Sequence, residues 1–113
     1  MELEAWVKEF PGAVTVCDPE GGVLAMNDAS VRMFAKSGGR ELVGQNLMGC
    51  HPGDSGDKLQ RLLNERKANT YTIEKGGRRI LIHQTPWTVN GEYRGFVELS
   101  IELPEEMPNF VRT

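Results

Sequence analysis

Apolar residues recur along this chain with two different periods, and the change of period divides it into elements. From Thr70 to Leu103 the pattern alternates: TYTIEK, Gly76-Gly77, RRILIHQTPWTV, Asn90-Gly91, EYRGFVELSIEL. Alternation of this kind predicts strands. Gly-Gly and Asn-Gly are the dipeptides that two-residue hairpin turns require, because turns that match the strand twist need positive φ. If both loops are two-residue turns, Ile73 pairs with Ile80 and Tyr71 with Ile82, while Ile82 pairs with Leu99 and Ile80 with Ile101. One face then carries Tyr71, Ile73, Ile80, Ile82, Gln84, Val97, Leu99 and Ile101, and is expected to line the core. A slip of one residue would send the set to the other side. The opposite face sets Arg79 against Glu102, His83 against Glu98, Thr85 against Phe96 and Trp87 against Arg94, with Leu81 between them. Pro86 fits this register, its nitrogen pointing to the side where the Thr70 strand has already ended.

Upstream the period changes. Leu3, Trp6, Val7 and Phe10 form an i, i+3, i+4, i+7 stripe, which predicts a short helix over Glu2–Phe10, stopped by Pro11-Gly12. So short a helix is marginal in water and needs a surface. The outer sheet face with Leu81, Trp87 and Phe96, from its own subunit or a neighbour's, is the candidate. These seven residues are the expected interface of a homodimer. Ala13–Cys17 and Val23–Met26 read as strands joined by the turn cluster Asp18-Pro19-Glu20-Gly21-Gly22. Asn27 is placed to cap a helix running to about Lys36, with Asp28 at its positive end and Met26, Ala29, Met33 and Phe34 along one side. Ser37-Gly38-Gly39 ends it. Leu42, Val43, Leu47 and Met48 lie in single helical turns. After Cys50-His51-Pro52-Gly53, Asp54 or Ser55 is expected to cap a longer helix with Leu59, Leu62 and Leu63 buried and Arg66-Lys67 at its negative end. The sum is an α+β fold, an antiparallel sheet with helices gathered on one face. It divides into an N-terminal helix (1–10), a central domain (11–103) and a surface tail (104–113).

Composition narrows the function. The chain has 113 residues, enough for one core and too few for an interdomain cleft. Thirteen basic against sixteen acidic residues leave a net charge of -3 with no basic run, which argues against nucleic acid as partner. Two cysteines make no disulfide framework, and neither a leader pattern nor a membrane-length apolar run is evident. The expectation is a cytoplasmic protein with reduced thiols and no membrane partner.

The phrase VTVCDPEGGVLAMNDAS followed by RELVGQNL resembles a PAS domain. The resemblance lies in Asp18 and Gly21 or Gly22 in the first turn, Asn27 opening the next helix, and the Glu41-Leu42-Val43-Gly44 segment, and it spans Phe10 to Leu103. The Cys-His-Pro segment also resembles a subset of bacterial PAS modules. The resemblance implies a five-stranded sheet in order 2-1-5-4-3 and a cavity between its inner face and the small helices. It further implies frequent homodimerisation through the N-terminal helix and a place in signal transduction.

Gln84 is the one polar residue on the expected inner face. A buried amide without partners costs about 1 to 3 kcal/mol, so it bonds either the backbone or a cavity ligand. The expected ligand-binding set is Gln84, Tyr71, Ile82, Met33, Phe34, Met48, Leu63 and Val97. Met26, Met33 and Met48 could form an adaptable pocket lining, but ordinary core packing is the favoured reading. Cys50-His51 admits three readings: a thiol nucleophile, an entrance to the longer helix shaped with Pro52, or a ligand in which His51 holds haem, as the resemblance permits. His83 is turned outward. The family's flavin photosensors carry a cysteine where this chain has Leu47, after Gly44-Gln45-Asn46, so that photochemistry has no nucleophile here. Two thiols do not serve an iron-sulfur centre, which usually needs four. With no convergent acid-base set, the chain reads as a stand-alone, non-enzymatic sensory or regulatory module that binds a small ligand or a signalling protein. The alternatives are a haem-based gas or redox sensor using His51 and a ligand-free dimerisation adaptor with a filled core.

Overall fold

The computed structural model describes residues 1–50 and 53–113. Five strands, β1 (Ala13–Cys17), β2 (Val23–Met26), β3 (Asn69–Lys75), β4 (Arg78–Val89) and β5 (Glu92–Leu103), form one antiparallel sheet in the order β2-β1-β5-β4-β3. The helices are α1 (Ala5–Lys8), α2 (Asp28–Met33), α3 (Leu47–Cys50) and α4 (Asp54–Glu65), with 3₁₀ turns at Ala35–Ser37 and Gly39–Leu42. The α+β class and the strand order are those expected from the sequence.

Both hairpin turns have two residues, closing Lys75 against Arg78 and Val89 against Glu92. All four turn residues take positive φ, Asn90 included at 51°, which is the geometry these dipeptides favour. The first hairpin keeps the expected register, with Tyr71 opposite Ile82 and Ile73 opposite Ile80.

The second hairpin departs from it. Thr88 faces Tyr93, but Trp87 faces Gly95, so Arg94 is an extra residue and β5 carries a bulge. Beyond the bulge every partner moves by one: Ile82 faces Ser100, Gln84 faces Glu98 and Pro86 faces Phe96, while Leu81 faces Ile101 and His83 faces Leu99. A single inserted residue inverts the faces of the rest of a strand. Val97, Leu99 and Ile101, expected inside, therefore lie on the outer face, and Phe96, expected outside, is buried against Cys17 and Leu63. The expected partners change too. Glu102 meets Arg78 (3.1 Å) instead of Arg79, and His83 Nδ1 shares a hydrogen bond with Thr70 Oγ1 (2.7 Å) and does not reach Glu98.

Gly95 is where the bulge is enforced. Its φ is 133°, and a Cβ built there would lie 2.0 Å from the Cys17 carbonyl oxygen and 2.8 Å from the Asp18 backbone. Only glycine permits such an approach of two backbones. The Trp87 indole reaches past it to donate to the Cys17 carbonyl (3.0 Å). Because of the bulge, Tyr93 and Phe96 fall on the same side and meet edge to face at 6.3 Å. The Tyr93 hydroxyl donates to the Leu63 carbonyl (3.3 Å) and its ring lies 4.3 Å beneath the Arg66 guanidinium, which ties the C-terminal end of α4 to the sheet.

At the other end of the sheet Asn27 caps α2 as expected and does more. Fully buried, its Oδ1 accepts from Val14 N (2.8 Å) and Ser30 N (3.0 Å), and its Nδ2 faces the carbonyls of Val7, Phe10 and Gly12 at 2.9 to 3.3 Å. One side chain thus joins β1, α2 and the N-terminal segment. Lys8 and Arg40 also pair with Asp28; the Lys8 hydrogen bond is the main reason the Asp28 carboxyl sits below the usual carboxylate range. The N-terminal helix is shorter than expected, one turn at Ala5–Lys8, with the Val7 and Phe10 carbonyls turned to Asn27 Nδ2; so short a segment does not propagate unaided. Trp6 is 72% exposed, with Phe10 edge-on at 6.3 Å. The longer helix begins at Asp54 after a Gly53 N-cap that offers no side-chain bond, so Asp54 lies inside the first turn instead of capping it.

Two substitutions test these joints. Gly95→Ala is expected to destabilise the domain by about 3 kcal/mol or more, whereas Gly44→Ala, which has positive φ but open space around it, costs about 1 kcal/mol. Equal losses by chemical denaturation would remove the close approach as the cause. Asn27→Ala is expected to cost about 3 kcal/mol. Asn27→Asp keeps the capping acceptor but turns a carboxylate toward three carbonyls, so it is expected to be at least as damaging at neutral pH and to recover stability as the pH is lowered toward 4. A pH-independent Asn27→Asp defect would contradict that reading.

Candidate functional site

Between the inner sheet face and α2–α4 lies a cavity of about 780 Å³, within the range of small-molecule sites. Each wall follows from the local fold. Met26 and Val23 of β2, with Met33, Phe34 and Leu42, close one side; Leu59 and Leu62 of α4 form the roof; Tyr71, Ile73 and Ile82 supply the far side of the sheet. Leu47 and Phe96 complete the apolar lining, and Lys58 and Ser37 also border the space.

The floor is polar, and this is a product of the bulge. Asn69, Gln84, Glu98 and Thr15 lie side by side across β3, β4, β5 and β1. Asn69 Nδ2 donates to Gln84 Oε1 (3.0 Å), and Gln84 Nε2 donates to Glu98 Oε2 (2.8 Å). Thr15 Oγ1 is bonded to Ser30 Oγ at the start of α2. Gln84 is therefore satisfied by side chains on both sides, and among the described residues every buried side-chain nitrogen and oxygen has a partner.

Most of the residues expected to bind a ligand do border this space, namely Gln84, Tyr71, Ile82, Met33 and Phe34. Val97 borders it as well, although its register turns the side chain to the outer face. Leu63 is instead packed in the core with Cys17 and Phe96, and Met48 lies beside Gly21, outside the cavity wall. Glu98, Asn69, Thr15 and Lys58 were not expected. Glu98 was hidden by assuming a straight strand; Gly95, a glycine inside a strand pattern, was the available signal of a bulge.

Burial pushes the Cys17 thiol up from its ordinary value, so at neutral pH it is a protonated, weakly nucleophilic part of the wall. Burial, and then the Glu98 carboxylate, raise the Tyr71 phenol. The Cys50 side chain, His51 and Pro52 lie outside the described residues, and with them the thiol, helix-entrance and haem-ligand readings. His83, on the outer face, supplies nothing to the cavity. Among the described residues no group of three or more His, Cys, Asp or Glu side chains could hold a metal ion, and no helix is long and apolar enough to cross a membrane.

No curated protein matches the chain. Solved structures do share its architecture. The PAS domain of BvgS from Bordetella pertussis is 20% identical over 88% of this chain and 82% of its own, with a TM-score of 0.63. The Aer2 receptor from Vibrio cholerae, a dual PAS-heme oxygen sensor, is 17% identical over 82% of this chain and 95% of its own (TM-score 0.60). The VqmA dimer of Vibrio cholerae is 13% identical over 93% of this chain and 54% of its own (TM-score 0.65). At such identities the likeness is one of fold. The family model described as PAS fold matches residues 7–106, nearly the whole length, and the chain belongs to the PAS family of sensory signalling modules.

Proposed function

We propose that this PAS domain binds a small molecule in the cavity beneath α2 and α4 and signals its occupancy as a homodimer, without catalysis of its own. The cavity is the observation that carries this reading. A ligand-free adaptor needs a filled core under Tyr71, Ile82 and Gln84, and that space is open. Its lining is mostly apolar with a few polar groups gathered on one side, the usual make-up of a small-molecule site.

The outer sheet face supports the homodimer. Val14, Leu81, Val97, Leu99 and Ile101, each partly exposed, fall on it beside the buried Val16, since the bulge sends the more apolar set of β5 outward. Phe10 packs near Ile101 beside this face, and Trp6 stands exposed on α1. We take Leu3, Trp6, Val7, Phe10, Leu81 and Trp87 as the interface, with Leu99 and Ile101 added and Phe96, which is buried in the core, left out. A contiguous apolar surface of this kind marks a protein contact more often than it faces water. Asn27 joins the two sites, because the helix it caps ends at Met33 in the cavity wall and the carbonyls it holds belong to the N-terminal segment.

The environment-sensitive dye N-phenyl-1-naphthylamine is expected to enter the cavity with increased fluorescence, and Met33→Trp, which fills the space, is expected to abolish the increase while the circular dichroism spectrum is kept. Dye that does not bind, or binds the variant equally, would refute the ligand site. For the dimer, light scattering is expected to give twice the chain mass, falling to one on Leu99→Asp and weakening with Trp6→Ala. A wild-type monomer, or a Leu99→Asp dimer, would refute that interface.

A further inference from the structure

We propose that the cavity selects a ligand with an apolar body and a cationic or donor-rich nitrogen head, such as a primary ammonium, and that Glu98 is the residue that recognises it. This inference rests on the ligand-binding reading above and specifies its chemistry.

The direction of the hydrogen bonds across the floor carries it. An ionised carboxylate only accepts, so Gln84 must present its Nε2 to Glu98 and its Oε1 to Asn69, which must in turn present Nδ2. The distances of 2.8 and 3.0 Å agree with that order. The Asn69 and Gln84 bonds therefore both run toward Glu98, and the hydrogen-bonded chain ends there. Oε2 takes the Gln84 bond, while Oε1 has no hydrogen-bond partner among the described residues. Thr15, next in the row, is turned to Ser30. Glu98 is half-buried, lines the cavity and forms no ion pair among the described residues.

A carboxylate oxygen left unfilled on the polar floor of a mostly apolar cavity favours a charged donor, since charge-assisted bonds are the strong ones. Among the described residues the one cation that borders the cavity, Lys58, lies on α4 with its side chain largely in solvent. It favours negative charge at the rim and leaves the floor for the cation. An anionic head placed on the floor would meet the Glu98 carboxylate, with only the second hydrogens of the Asn69 and Gln84 amides and the Tyr71 hydroxyl to offset the repulsion.

Three indoles of nearly equal size separate the possibilities by calorimetry on the whole chain: tryptamine, tryptophol and indole-3-acetate. Tryptamine is expected to bind about tenfold or more tightly than tryptophol, with indole-3-acetate the weakest. Glu98→Gln is expected to erase the preference for the amine and leave tryptophol binding in place. The order among the three ligands on the unaltered protein is informative even if that variant folds poorly. Indole-3-acetate binding as tightly as tryptamine, a preference that survives Glu98→Gln, or no binding by any of the three would overturn the proposal. N-phenyl-1-naphthylamine in the same samples separates the two levels. Dye uptake without an amine preference removes only the ligand class, whereas no uptake by dye or indole removes the cavity reading as well.

Discussion

The close approach of two backbones at Gly95 governs most of what is distinctive in this domain. Where β5 passes the end of β1, no Cβ fits between Gly95 and the Cys17 carbonyl, and the strand takes up the mismatch as a one-residue bulge. From there to Leu103 the side chains are reversed relative to a straight strand. Phe96, Glu98 and Ser100 turn inward; Val97, Leu99 and Ile101 turn outward. Tyr93, on the near side of the bulge, shares the inner side with Phe96 and so can hold the C-terminal end of α4 through Leu63 and Arg66. One backbone contact thereby places the polar floor and anchors one end of the roof.

The consequence is a sheet with two occupied faces. In a small antiparallel domain one face commonly packs on the core and the other is solvated and polar. Here the inner face gives up a continuous apolar surface for the row Asn69, Gln84, Glu98 and Thr15, and the outer face collects the valines, leucines and isoleucine that a core would otherwise use. The compensation lies in α2–α4, whose Met33, Leu42, Leu59 and Leu62 enclose the cavity. Asn27 closes the system at the opposite end, since it is bonded at once to β1, to α2 and to the chain entering the fold. That amide, with the Lys8–Asp28 ion pair, ties α2 to the N-terminal segment.

Much of this was legible in the residues. The alternation from Thr70, the two turn dipeptides and the Asp18 to Asn27 phrase give the strands, their order and the cap of α2, because each rests on local chemistry that tertiary contacts reinforce. Tyr71, Ile82 and Gln84 were placed on the inner face for the same reason, being counted from the Gly76-Gly77 turn across uninterrupted strands. The polar floor was not legible by that count. Val97, Leu99 and Ile101 alternate so regularly that they imitate a core face, and the feature that reverses them is a contact with β1, some 80 residues earlier in the chain. The shortening of α1 has a similar origin: a periodic stripe states which side is apolar, while the length that survives depends on the bonds at the ends.

The register of β4 against β5 is the point on which the cavity floor, the outer face and the role of Glu98 all depend. Cross-strand nuclear Overhauser effects measure it directly. The bulged strand predicts Hα–Hα contacts between Ile82 and Ser100 and between Gln84 and Glu98; contacts from Ile82 to Leu99 and from Gln84 to Val97 would mean a straight strand, with Glu98 outside the cavity, and would contradict the account.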